Sequence, residues 1–269
     1  MASFDFIDAS ARGYAFIWEE RGYLARVAIP VLFVKIVCLL AVFVLDWQGQ
    51  YARQGLVLMP GYILEAVFII GLIRYALYRE AIFIWGKVVA VPPTDQKYAP
   101  YQGQLSRKQC VQGGIVMYVL LKIIAIGFSA AVQDNISVPY EPPLTEVQGM
   151  PSVLDAMIIL AFLAVVVWGF RLLFLYIPIV MGVLPGRFLQ CISGMKSSAF
   201  MIATWLVCFL PLVVFFGIGL QLFSGVFVAG SAVDVLISSI FVGAVELIII
   251  SVQVIAMTYG FVSMLSNGK

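Results

Sequence analysis

The chain has 269 residues, 63% of them hydrophobic and 11% charged, with a net charge of +2. Soluble domains carry about 25% charged residues, so a water-facing surface wrapped around an apolar core is excluded, and so small a net charge gives no case for a nucleic-acid partner. Histidine is absent, which removes haem and zinc ligation by imidazole, His proton relays, and Ser-His or Cys-His nucleophile pairs.

The first segment, Phe4 to Tyr23, mixes aromatic and aliphatic residues with acids and arginines. Asp5, Asp8, Glu19 and Glu20 stand where a cleavable signal peptide would be basic. Ile7, Ala11, Tyr14 and Trp18 recur at helical spacing, which predicts an amphipathic helix lying in the membrane interface over residues 1–26. A bundle over 27–265 follows, and the whole chain reads as a single polytopic membrane domain. A span needs about 20 mostly apolar residues, and six runs qualify. They are Val27 to Leu45, with Pro30 in the first turn, Val57 to Tyr78, Val111 to Val132, Val153 to Ile177, Ser198 to Leu222, and Ala232 to Met257. The predicted fold class is therefore an all-α integral membrane protein of six transmembrane helices.

Basic residues beside the spans set the orientation. With six spans, thirteen Lys and Arg fall on one side and only Arg53 on the other. The segment Gln133 to Ser152, on the sparse side, has no basic residue and carries Pro139, Pro142, Pro143 and Pro151. This asymmetry predicts both termini in the cytoplasm. Cys38, Cys110, Cys191 and Cys208 form no CxxC pair, and no disulfide framework is expected.

Two stretches echo each other. Gly71 to Arg74 ends span two much as Gly169 to Arg171 ends span four, and Gln109-Cys110-Val111-Gln112-Gly113 before span three resembles Gln190-Cys191-Ile192-Ser193-Gly194 before span five. The shared unit is an inward-running span, an arginine, an apolar elbow and an outward-running span. A parallel repeat of spans 2–3 and 4–5 predicts a pseudo-twofold axis along the membrane normal. Arg171, the Leu/Phe-rich stretch after it, Pro178 and the run Gln190 to Ala203, with Ser197 and Ser198 near the helix start, resemble the YciC-like and glycerophosphodiester-phosphodiesterase membrane-domain families. That resemblance covers specific residues only around 168–205. It implies a bacterial inner-membrane six-span module with no chemistry of its own.

Six charged residues invite a role. Arg74 and Arg171 each lie about one turn inside the cytoplasmic end of a span. A snorkelling arginine is one reading; anionic lipid phosphate in a cytoplasmic-leaflet groove is the other, since a planar guanidinium suits phosphate. Lys122 and Glu246 lie near mid-span, where an uncompensated charge costs about 2.5–3.5 kcal/mol, and a mutual pair is the cheapest solution. Lys35 and Glu65 pair similarly, at depths differing by about one turn. The ion pairs either fix packing or form a substrate or proton site. No motif for metal, cofactor or catalysis is present, so an enzyme is not expected, nor any cofactor. The leading expectation is a non-enzymatic inner-membrane module that organises membrane lipids or another membrane protein. The competing one is a small-solute or lipid transporter built on the buried Lys/Glu pairs.

Overall fold

The computed structural model describes residues 5–47, 49–82, 106–136, 157, 167–191, 195–224 and 231–267. Among these the protein is all-α, with no strand. Its helices are α1 (Phe6–Glu19), α2 (Arg21–Val44), α3 (Tyr51–Tyr78), α4 (Arg107–Ile136), a 3₁₀ segment (Phe170–Phe174), α5 (Tyr176–Val180), α6 (Pro185–Cys191), α7 (Met195–Ser224) and α8 (Ala232–Asn267). Five of them, α2, α3, α4, α7 and α8, are long and apolar enough to cross a membrane. Most of the fourth expected span, Val153 to Ile177, lies outside the described residues, as does the Pro-rich stretch from 137 to 152; Val167–Val180 forms a shorter apolar helical stretch.

Asp5 starts α1 by accepting the N–H of Ile7 at 2.9 Å and of Asp8 at 3.3 Å, which satisfies two amides that a helix start leaves open. The helix is two-faced, and the face that packs on the bundle is distinct from the apolar stripe expected to lie in the membrane interface. Ala9, Ser10, Gly13 and Phe16 are buried, whereas Ile7, Ala11 and Trp18 point outward. Small residues win because they let backbones approach closely, and in lipid close packing drives helix association more than hydrophobicity does. A Cβ at Gly13 would meet the Val252 carbonyl oxygen at 3.0 Å and the Ala256 nitrogen at 3.1 Å. The N-terminal helix is thereby seated on α8, and it also touches α7.

The chain passes from α1 to α2 through Glu20, whose own N–H still bonds Phe16 at 3.0 Å. Because α2 begins at Arg21, Pro30 lies well inside the helix instead of in its first turn, and the carbonyl of Arg26 loses its usual amide. The other long helices also overrun the expected spans. The longest, α8, has 36 residues. At about 1.5 Å per residue it is roughly 54 Å long, well beyond a hydrocarbon core of about 30 Å. Its last turns pack on both halves of the chain: Tyr259 meets Phe16 of α1 edge-on, and Phe261 meets Phe188 of α6.

α3 is the central helix and packs on α2, α4 and α8. Phe68, Ile69, Ile70, Leu72 and Ile73 are buried on several sides of it, in one core with Val254, Ile255 and Met257 of α8. It ends at Arg79 in the left-handed conformation, φ 54° and ψ 29°, which costs a non-glycine residue about 1–2 kcal/mol. The turn brings Ile82 back onto Gly71, where an added Cβ would meet the Ile82 carbonyl oxygen at 2.8 Å. The short α5 lies against α4 and α3, with Ile179 and Val180 beside Gly113 and Gly114.

Candidate functional site

Four charges meet in the middle of the bundle. Lys35 comes from α2, Glu65 from α3, Lys122 from α4 and Glu246 from α8. Lys35 Nζ lies 2.6 Å from Glu65 Oε2 and 2.7 Å from Glu246 Oε2. Lys122 Nζ lies 3.0 Å from Glu65 Oε1 and 3.6 Å from Glu246 Oε1. The signs alternate around a closed ring, so each cation touches two carboxylates and each carboxylate two cations. The sequence suggested two separate pairs; the structure brings all four groups together, because α3 lies between the helices that carry the other three charges.

Local sequence makes room for the ring. Gly61, one turn from Glu65, leaves space for the Lys35 stem, whose Cγ would lie 3.4 Å from a Cβ there. Tyr118, one turn before Lys122 on α4, donates its hydroxyl to Glu65 Oε1. Lys122 Nζ also sits 5.0 Å from the ring centroid of Tyr62 and 5.6 Å from that of Tyr118, where an aromatic face attracts a cation. Tyr118 in turn meets Tyr176 of α5 edge-on at 5.2 Å. Burial is uneven. The Glu65 side chain is 0% exposed and that of Lys35 4%, whereas Lys122 is 24% and Glu246 43% exposed. The ring is sealed on the α2–α3 side and more open where α4 and α8 contribute.

The two arginines are not in open grooves. Arg74 is buried, and its guanidinium forks onto Glu80: Nε donates to Oε2 at 2.8 Å and Nη2 to Oε1 at 2.6 Å. It also lies 4.8 Å from the Tyr78 ring centroid. Glu80 thus occupies the bidentate position that a phosphate would take. The same carboxylate accepts Arg107 Nε at 3.0 Å and pairs with Arg107 Nη2 at 2.9 Å, which ties the end of α3 to the start of α4. Burial pushes the Glu80 carboxyl upward, but the hydrogen bond and charge of Arg74, together with Arg107, outweigh it and hold the group below its ordinary value. Arg171 is 3% exposed and lies 4.3 Å from the Trp168 ring centroid. The two arginines of the expected repeat also differ locally, one in an α-helix and the other in a 3₁₀ turn.

A second clamp lies beside the first. Arg79 Nη1 donates to Glu20 Oε1 at 2.6 Å, and the Tyr75 hydroxyl donates to Glu20 Oε2 at 2.8 Å. These contacts offset the left-handed turn at Arg79 and lock the α1–α2 junction to α3.

Sequence reasoning missed Tyr118, Tyr62 and Glu80. For the tyrosines a signal existed: each lies three or four residues from a mid-span charge, on the same helix face. For Glu80 none did, since it reaches Arg74 only through the turn at Arg79. No family model, curated protein or solved structure matches the chain. The resemblance drawn from residues 168–205 therefore stands on those residues alone.

Proposed function

We propose that the protein is a non-enzymatic multi-pass membrane module that gathers anionic lipid at its basic helix ends, and through that lipid a neighbouring membrane protein. In this reading the chain crosses a bacterial inner membrane six times with both termini in the cytoplasm, Val153 to Ile177 supplies the fourth crossing, and spans 2–3 and 4–5 form the parallel repeat.

One observation carries the reading, which is the division of charge. The mid-span charges contact one another, and Arg74 contacts Glu80. By contrast Arg21, Arg26, Lys108 and Lys196, towards the starts of α2, α4 and α7, are exposed. Basic groups at a membrane surface attract anionic headgroups by about 1 kcal/mol each. Trp18 is 70% exposed with the Arg21 guanidinium 4.5 Å from its ring, an amphipathic pairing suited to the headgroup layer. The lipid-facing role thus passes from Arg74 and Arg171, which are buried, to this outer set.

The test is native mass spectrometry of protein released from native nanodiscs. Anionic lipid stays bound to the parent chain and is lost when Arg21, Arg26, Lys108 and Lys196 are changed together to Gln. Equal lipid retention by both sinks the proposal.

A transport reading is favoured by the open side of the ring, where Glu246 is half-exposed and its contact with Lys122 is the longest of the four. It requires Glu246→Gln to abolish a solute-driven current across a reconstituted bilayer while the protein stays folded. The lipid reading requires no such current in either form.

A further inference from the structure

Pro211 lies inside α7, sixteen residues after Met195. Proline has no N–H, so the carbonyl of Val207, four residues earlier, receives no ladder bond, and the ring crowds the adjacent turn. In lipid such a carbonyl needs another donor. The structure supplies one from the far end of the chain. The Tyr14 hydroxyl of α1 donates to the Cys208 carbonyl at 2.9 Å and reaches the Val207 carbonyl at 3.4 Å.

We infer that Tyr14 braces the gap at Pro211, bonding the Cys208 carbonyl beside the bare Val207 carbonyl and reaching the latter at longer range, so that docking of α1 and the integrity of α7 are one event. Three further features place the hydroxyl there. Gly13, the residue before it, fixes the depth of α1 through its close approach to Val252 and Ala256. Cys208, Val252 and Ala256 form a small buried cluster against which Tyr14, Ile17 and Leu212 pack, so the part-buried bond lies at the edge of an apolar patch. Phe6 stacks on Phe200 at 6.2 Å, two turns before Cys208, which holds the other end of α1 on α7. The N-terminal segment therefore completes a membrane helix, and an agent that lifts α1 off the bundle exposes the gap at Pro211.

The experiment is a double-mutant cycle on the full chain in nanodiscs, read by thermal unfolding and by deuterium uptake of the peptide spanning residues 205–216. Tyr14→Phe keeps the ring and removes only the donor. In the parent it lowers the melting temperature by several degrees and speeds uptake in that peptide. Pro211→Ala restores the amide, and in that background the effect of Tyr14→Phe falls to less than half. An equal effect in both backgrounds, or none in the parent, overturns the inference. If the Pro211→Ala chain does not fold, uptake decides with the single variant: acceleration confined to 205–216 supports the coupling, and acceleration spread over the bundle or absent contradicts it.

Discussion

Glu65 shows how one residue's surroundings set its worth. It is fully buried and receives Lys35, Lys122 and the Tyr118 hydroxyl. Removing its charge leaves two ammonium groups sharing Glu246 alone, and breaking a buried pair typically costs about 3–5 kcal/mol. Glu246 shares the same lysines but is 43% exposed. Glu65→Gln is therefore expected to destabilise the protein by several kcal/mol, and Glu246→Gln by clearly less, as measured by chemical or thermal unfolding in nanodiscs. The reverse ranking contradicts the geometry. Glu80 gives a pH dependence. Its carboxyl is held below its ordinary value of 4.5 when folded, so the unfolded chain takes up the proton first on acidification. The stability it contributes is complete above about pH 5 and is lost as the pH falls through the folded value. The stability difference between the parent and Glu80→Gln should accordingly shrink as the pH falls below 4.5 and vanish once it has passed the lower folded value, whereas a difference constant from pH 7 to pH 3 rules out the Arg74–Glu80–Arg107 clamp.

The helices themselves are joined by small residues and polar links as well as by an apolar core. Gly13, Gly61, Gly71 and Gly114 each sit where another segment closes in. Gly13→Val forces a side chain into backbone atoms of α8 that cannot move aside, and overpacking of this kind costs about 1–3 kcal/mol. It is expected to free α1 without unfolding the long helices, seen as rapid proteolysis near residue 20 with unchanged far-ultraviolet circular dichroism. Slow proteolysis at that site shows that α1 tolerates the change. The sequence exposed these elements unequally. Long apolar runs made α2, α3, α4, α7 and α8 plain, since length and hydropathy are local properties. The burying face of α1 was not plain, because Ile7, Ala11, Tyr14 and Trp18 read as the apolar stripe while the packing uses Ala9, Ser10 and Gly13. Pro30 was placed in a first turn because polar and aromatic residues before Val27 hid the continuation of the helix back to Arg21. The four ring residues were legible as charges out of place. Their closure into one cluster was not, because it depends on how α2, α4 and α8 rotate against α3.

At the scale of the molecule, charge is sorted by depth. Opposite charges close a ring at mid-span, two carboxylates, Glu20 and Glu80, bind the helix ends together, and further basic groups at those ends face outward. In the proposed reading the buried polar groups hold the shape of the bundle, and the basic rim with its neighbouring Trp18 meets the membrane surface. The most direct test compares lipid retention in three forms by native mass spectrometry from native nanodiscs: the parent, Glu246→Gln, and the chain with Arg21, Arg26, Lys108 and Lys196 all changed to Gln. The account predicts anionic lipid on the first two and its loss from the third. Loss on changing Glu246, or lipid retained equally by all three, contradicts it.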